Sequence, residues 1–496
     1  MVTAELLAAT TSGKLRGVVE GGVHVFKGVV YGSPPVGPQR FVQARPVEPW
    51  SGVRDAVEYG PMCPQVGLSG GRRAAASGTL AEVVPTARRV DEGCLTLNLW
   101  TPGVADGARR PVLVWIHGGG FHAGTGSAPL YDGAALASRG DVVIVSINHR
   151  LGVLGFLHLG PLMGDEYRSS GVVGLLDIVA ALRWVRENVE SFGGDPGNVT
   201  IFGQSGGGQK VGTLMAMASA QGLFHRAAAQ SGAALHVGVR VDPAEVATSV
   251  LDHLRCDPGD VERLRTVPVD DLLDAAEAAA SRFGVMVFEP VVDGSELAAH
   301  PVDLLGAGVA SQVPLLIGTT TNEFRFLATT APGAGIGDAE LVAQLAGLIG
   351  RRDTAAGVHP AIAAYRARRA GANNSELLGE IFTDYAHVLA IRYAEAKTAH
   401  SSAPVFMYLF DEPPAYHGSE LPYLFRYGVT DEVADQVSDT WIAFARHGAP
   451  QHAGLPVWPP YSLGDRSTMV LKRGPGVAMD PLREIRLWWE TIPTLM

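Results

Sequence analysis

Five short runs, Val112 to Ile116, Val142 to Ile147, Val199 to Phe202, Pro314 to Ile317 and Val405 to Leu409, are apolar and largely β-branched, without polar alternation. A strand with one face in water alternates, whereas a strand covered on both faces does not, so these runs predict a mainly parallel sheet sandwiched by helices. The segments between them agree. Leu175, Val179, Leu182, Val185 and Val189 recur at helical spacing while Arg183, Arg186, Glu187 and Glu190 take the other side, which predicts a helix from Leu175 to Phe192. Strand and helix in alternation place the chain in the α/β class. No internal repeat and no Ser/Gly- or Pro-rich linker divides the 496 residues, so one continuous domain over 1–496 is expected. The stretch from about 333 to 402 is Ala- and Arg-rich with few strand formers, and is expected to be a helical insertion that either covers the site mouth or only flanks it.

Charge and hydropathy remove several classes of function. With 39 basic against 50 acidic residues, the net charge of −11 and the lack of a basic patch oppose binding to nucleic acid or anionic lipid. The best membrane candidate, Leu175 to Val185, is interrupted by Asp177 and Arg183, so no membrane span is expected. Met1 to Lys14 has neither the basic start nor the long apolar core of an export signal, which suggests a cytoplasmic protein. Three cysteines, Cys63, Cys94 and Cys256, are too few for a disulfide-built scaffold, and the core must be hydrophobic.

The chemistry concentrates around a serine. Gly203-Gln204-Ser205-Gly206-Gly207 matches G-x-S-x-G, in which glycines permit a cramped strand-to-helix turn that pushes the hydroxyl out above the sheet. A glycine-rich chain of this length yields on the order of 0.4 accidental matches, so context must decide. One accident is present: Gly67-Leu68-Ser69-Gly70-Gly71 has no strand leading into it and is assigned no chemistry. Ser205 follows a fitting strand and precedes a helical face of Val211, Leu214, Met215 and Ala218. A serine nucleophile needs a base, and its acyl-transfer intermediate needs hydrogen-bond donors for an oxyanion. His117-Gly118-Gly119-Gly120-Phe121, directly after the run ending at Ile116, is a glycine loop of the kind that supplies them.

Beyond these two motifs the sequence resembles the type-B carboxylesterase/lipase family, α/β-hydrolases that include bacterial para-nitrobenzyl esterases, animal carboxylesterases and cholinesterases. The resemblance runs through Phe26-Lys27-Gly28-Val29-Val30-Tyr31, Arg40-Phe41, Cys63-Pro64-Gln65 and Glu92-Gly93-Cys94-Leu95-Thr96-Leu97-Asn98. It continues through Asn148-His149-Arg150-Leu151-Gly152, Phe192-Gly193-Gly194-Asp195-Pro196-Gly197-Asn198, Pro290-Val291-Val292-Asp293-Gly294 and Trp441 to Arg446. It implies an α/β-hydrolase fold and a serine esterase acting through an acyl-enzyme on small-molecule esters. The implied triad is Ser205, Glu323 in Thr321-Asn322-Glu323-Phe324, and His417 in His417-Gly418-Ser419-Glu420-Leu421, in the chain order of that fold. Asp411 and Glu412 also lie near a strand end and stand as alternative acids. Gly119, Gly120 and Gly206 are the implied oxyanion donors, with neither cofactor nor metal required.

Phe121, His122, Phe288, Phe324 and Phe326 are expected to wall the substrate pocket, because they sit beside the motifs. Ser231 resembles a serine that touches the acid in relatives, or serves only in packing. Gln204 and Gly206-Gly207-Gly208 replace the commoner Glu and Ser-Ala-Gly forms, which predicts a more flexible oxyanion donor at 206. No aromatic residue lies between Cys63 and Cys94, which disfavours choline esters as substrates. Those two cysteines match positions that are bridged in exported relatives; two thiols are expected in a reducing cytosol. Two other readings share the fold: a non-catalytic interaction protein, and a lipase, carbamate or amide hydrolase with the same triad. A monomer or small homo-oligomer is expected.

Overall fold

Along the chain the strands are β1 (Leu7–Ala9), β2 (Lys14–Arg16), β3 (Val18–Glu20), β4 (Val23–Val30), β5 (Val53–Asp55), β6 (Thr96–Thr101), β7 (Arg110–Ile116), β8 (Val143–Ile147), β9 (Gly194–Gln204), β10 (Arg226–Gln230), β11 (Leu315–Thr320), β12 (Val405–Phe410), β13 (Ser467–Leu471) and β14 (Gly476–Met479). The structure is a computed structural model and describes residues 5–66, 89–238, 241–284, 286–330, 335–349 and 354–491. Among the described residues, eleven strands form one mixed sheet in the order β14-β13-β12-β11-β10-β9-β7-β8-β6-β4-β3. The strands from β8 to β13 run parallel, and antiparallel pairs close both ends. A small separate sheet holds β1, β2 and β5.

The missing alternation has its physical reason in β7. Val112, Val114 and Ile116 enter one apolar cluster, Leu113 and Trp115 enter another, and all five are fully buried. The helix Val173–Asn188, extended by a 3-10 turn over Val189–Phe192, covers the first face with Leu175, Val179, Leu182 and Val185. The helix Glu432–His447 covers the second with Val433, Val437, Trp441 and Phe444.

The order in which strands join the sheet reverses at β7. Its sequence neighbour β8 pairs on one side, while β9 and the later strands fill the other. At such a switch point the loops leaving the carboxyl ends of the two central strands part to opposite faces and leave a crevice. The crevice here lies beyond Ile116 and Gln204. β10 escaped sequence reading because Ala227, Ala228 and Ala229 have little strand preference. The end of β10 lies tight against the helix Gly206–Ala216: a Cβ built at Gly208 would come within 2.7 Å of Gly232 O and 3.0 Å of Gln230 O.

Between β11 and β12 the chain is helical, in Leu327–Thr330, Asp338–Ile349, Thr354–Arg368 and Asn374–Ala399. These helices build an apolar cluster of their own, with Leu341, Leu345, Tyr365, Leu377 and Ile381, joined by Trp489 from the helix Arg483–Trp489. The longest begins with a reciprocal cap between Asn373 and Glu376. No described helix is long and apolar enough to cross a membrane.

One ion pair lies deep under the crevice. Arg150 Nε and Nη2 donate to Asp177 Oδ2 and Oδ1 at 2.8 and 2.7 Å, and both side chains are shut off from water. Removing one partner strands the other charge in a poorly polarisable interior. Arg150→Met is therefore expected to lower the unfolding free energy by about 3–5 kcal/mol in chemical denaturation. Arg109→Ala, which breaks only the exposed pairs with Glu190 and Asp195, is expected to cost no more than about 1 kcal/mol.

Candidate active site

β9 ends at Gln204, and Ser205 stands between strand and helix with φ 58 and ψ −126. A non-glycine residue rarely adopts a positive φ, and here it is held by tight neighbours. Ser205 N donates to Gln230 O at 2.8 Å, and Cβ atoms built at Gly203 and Gly207 would lie 2.6 and 2.1 Å from Ile116 O. Across the crevice, Gly119 and Gly120 take φ +92 and +62, and their N–H groups donate to no acceptor among the described residues. Gly206 opens the helix, so its N–H has no intrahelical partner. These are the three sequence-expected oxyanion donors, and two of them touch: a Cβ at Gly206 would sit 2.2 Å from Gly120 O and 2.4 Å from Gly120 N. Gly206 therefore packs directly against Gly120, with no room for a side chain at 206.

His417 lies in the loop after β12 and Glu323 in the loop after β11. Their contact is doubled, by Glu323 Oε2 at 2.5 Å from His417 Nδ1 and by His417 N donating to Glu323 O at 2.8 Å. Thr320 N donates to the other carboxylate oxygen at 2.9 Å. Burial pushes the Glu323 carboxyl up, but the imidazole charge and its hydrogen bond, with the Ser231 hydroxyl and Thr320 N–H adding, hold it below the usual glutamate range. Burial pulls His417 down, but the Glu323 charge and its hydrogen bond, with the Glu420 charge adding, together outweigh it, so the imidazole sits above the ordinary histidine value. The Phe324 ring stacks on the imidazole with centroids 4.7 Å apart. Asp411 bonds Thr321 and Lys472, and Glu412 accepts from Arg473 N, so neither alternative acid faces His417.

His417 Nε2 is met by Gln204 Nε2 at 3.1 Å, and the Ser205 hydroxyl makes no hydrogen bond among the described residues. With Nδ1–H given to Glu323, Nε2 is the acceptor nitrogen and the Gln204 amide donates to it. Gln204, which sequence reading noted only as a departure from the family form, is one residue to which it gave no role in the site. Glu420 is another: fully buried, it accepts from Gln230 Nε2 at 3.2 Å. Burial and the nearby Glu323 charge raise it to about 7. A third is Lys210, whose Nζ donates to His117 O at 3.1 Å from beneath the glycine loop. Only a lysine among the apolar positions of the elbow helix could have signalled it.

The segments of the family resemblance turn out to brace the loop. Gln65 Oε1 accepts from Gly124 N at 2.7 Å, and Asn148 Oδ1 accepts from Thr125 Oγ1 and Gly126 N at 2.9 and 2.7 Å. His117 and His149 stack with centroids 4.9 Å apart. Burial drives His117 down to about 3 and His149 well below the ordinary value, so both rings are neutral. Cys63 and Cys94 are buried free thiols beside this bracing; the Cys63 contact and burial push Cys94 up, and Leu151 N donates to Cys63 Sγ at 3.3 Å.

Of the expected wall residues, His122 and Phe288 face each other at 6.1 Å and line one cavity with Leu151, Val153 and Leu273. Phe326 lies near Tyr416 and Phe324. Phe121 is packed edge-on against Phe156 in the core. Met286 adds a contact absent from the sequence expectation, since a Cβ at Gly120 would meet its Cε at 2.8 Å. The decoy serine Ser69 lies outside the described residues.

A sequence model described as "Carboxylesterase family" matches residues 4–485. The para-nitrobenzyl esterase of Bacillus subtilis is 36% identical over 508 residues, covering 97% of this chain and 97% of the relative. The phenmedipham hydrolase of Pseudarthrobacter oxydans is 37% identical over 512 residues, covering 96% and 97%. Among solved structures, a Geobacillus stearothermophilus carboxylesterase superposes with a TM-score of 0.83 at 37% identity, covering 98% of this chain and 100% of that one.

Gln204 offers a test of the electrostatics around the imidazole. Gln204→Glu places a carboxylate against Nε2, favours the imidazolium, and is expected to move the acid limb of kcat/KM to higher pH by about one pH unit. An unmoved limb in the pH–rate profile would mean that residue 204 does not face the base.

Proposed function

Because this chain belongs to the carboxylesterase family and is a serine hydrolase of carboxylic esters, we propose that Ser205, His417 and Glu323 carry the reaction and that Gly119, Gly120 and Gly206 receive its oxyanion. The observation that supports this most is the 2.5 Å contact of Glu323 with His417 Nδ1, which places the ring proton on Nδ1 and leaves Nε2 the unprotonated nitrogen beside the elbow. The serine hydroxyl displaces the Gln204 amide from Nε2. Oγ then attacks the ester carbonyl as its proton passes to Nε2, and the carbonyl oxygen takes the negative charge among the three N–H groups. Collapse breaks the bond to the alcohol, which leaves with the proton from Nε2. Water repeats the sequence on the acyl-enzyme and frees the acid. Glu323 stays ionised throughout, holds the ring and stabilises imidazolium.

The substrates on this reading are small-molecule esters whose acyl or alcohol part meets His122, Phe288 and Met286. The whole chain acts as one domain, and the helices between β11 and β12 are an insertion that shores up the acid loop. Phe324 N donates to Thr383 Oγ1 at 3.1 Å, and Thr319 Oγ1 lies 2.8 Å from His387 Nδ1, so the helix Asn374–Ala399 backs the segment that carries Glu323.

Turnover of p-nitrophenyl butyrate tests the triad. Ser205→Ala is expected to lower kcat by at least about 10⁴-fold, and Glu323→Gln by about 10³–10⁴-fold because the ring loses its orienting charge. Imidazolium cannot accept the serine proton, so kcat/KM falls as pH drops through the raised His417 pKa, above the ordinary imidazole value. Hydrolysis that survives Ser205→Ala would sink the assignment.

A further inference from the structure

Lys210 sits in the helix that starts beside Ser205 and is completely shut off from solvent. Its ammonium is tied to both ends of the glycine run: Nζ donates to His117 O at 3.1 Å and lies 5.6 Å from the centre of the Phe121 ring. No carboxylate pairs with it among the described residues. The titratable groups that face it are His117 at the end of β7 and His149 after β8, and both are held neutral partly by its charge. Arg150, next to His149, is already closed by Asp177. Tyr393 reaches the same helix from the other side, where its hydroxyl donates to Gly212 O at 2.8 Å.

A buried cation without a counter-ion is costly, and burial draws Lys210 down to about 7. An anion formed in the adjoining loop would supply what the resting protein lacks. We propose that Lys210 is a positioning residue for ester hydrolysis, pinning the glycine run through His117 O and carrying a charge that is balanced only when the tetrahedral oxyanion forms against Gly119 and Gly120. In a low-dielectric interior a fixed cation one or two peptides from that oxygen favours the transition state over the neutral ester. The proposal rests on the oxyanion assignment above, and the failure of that assignment would appear separately, as turnover unaffected by Ser205→Ala.

Two variants test the charge, one without a hydrogen-bond donor and one with it. Lys210→Met removes charge and hydrogen bond, while Lys210→Gln retains a donor of shorter reach without the charge. Both are measured with p-nitrophenyl butyrate between pH 6 and 9.5, and with a trifluoromethyl ketone that binds serine as an anionic tetrahedral adduct. In both, kcat is expected to fall by at least about 10-fold with KM within about 2-fold, and ketone affinity to fall in parallel. The wild-type rate is expected to decline on the alkaline side as Lys210 loses its proton, and this limb is expected to vanish in both variants. Thermal midpoints equal to or above wild type would accompany these losses, because a buried charge has gone. Wild-type kcat in either folded variant, or a rate loss shared by KM with the alkaline limb intact, overturns the proposal.

Discussion

The site depends on one contact between backbones, where the loop after β7 and the turn after β9 meet with no side chain between them. β7 and β9 are neighbours in the sheet but leave it toward different faces, so two segments more than eighty residues apart in sequence emerge side by side. Glycine alone permits the approach. A Cβ at 206 would invade Gly120, and one at 207 would lie 2.1 Å from Ile116 O. The nucleophile's strained backbone and the unpaired N–H groups opposite it follow from that closeness. A wider gap would let water satisfy those donors and would relax the turn.

Around this contact the interior holds more ionisable groups than apolar packing would favour, and each is managed differently. Arg150 and Asp177 neutralise each other in a two-pronged pair. His117 and His149 are kept neutral by burial and stack beneath the loop. Glu323 remains charged at full burial because a histidine and a backbone N–H face its two oxygens. Glu420, near the same pair, is lifted to about 7 by burial and by the Glu323 charge, so it gives up its own charge far more readily than Glu323 does. Two carboxylates with opposite shifts make Glu323 the stronger acid of the two and the one oriented on the imidazole, which is what a histidine base requires.

The sheet was legible because full burial on both faces erases polar alternation, and three of the five runs lie wholly within observed strands; β8 and β11 each begin one residue later than their runs. β10 was not legible, since three alanines carry little preference and only its neighbours make it a strand. The elbow and glycine loop could be read because their glycines answer steric demands that reach into the sequence. Glu323 and His417 emerged only through the family resemblance; nothing in local periodicity marks one acid or one of fifteen histidines. The roles of Gln204, Lys210 and Glu420 depend on partners far along the chain, and long-range contacts of that kind leave no local trace.

Those three residues also change what the glycines of the elbow mean. Read as a string, Gly206-Gly207-Gly208 suggests a slack turn in place of a stiffer one. In the fold, the lack of a side chain at 206 lets Gly120 close against the helix start, while Lys210, one turn further on, grips His117 from below. The glycine loop is therefore held on one side by van der Waals contact and on the other by a charged hydrogen bond. The absence of a side chain at 206 and the buried cation at 210 act together, so the placement of this donor set belongs to the pair of loops and to neither alone.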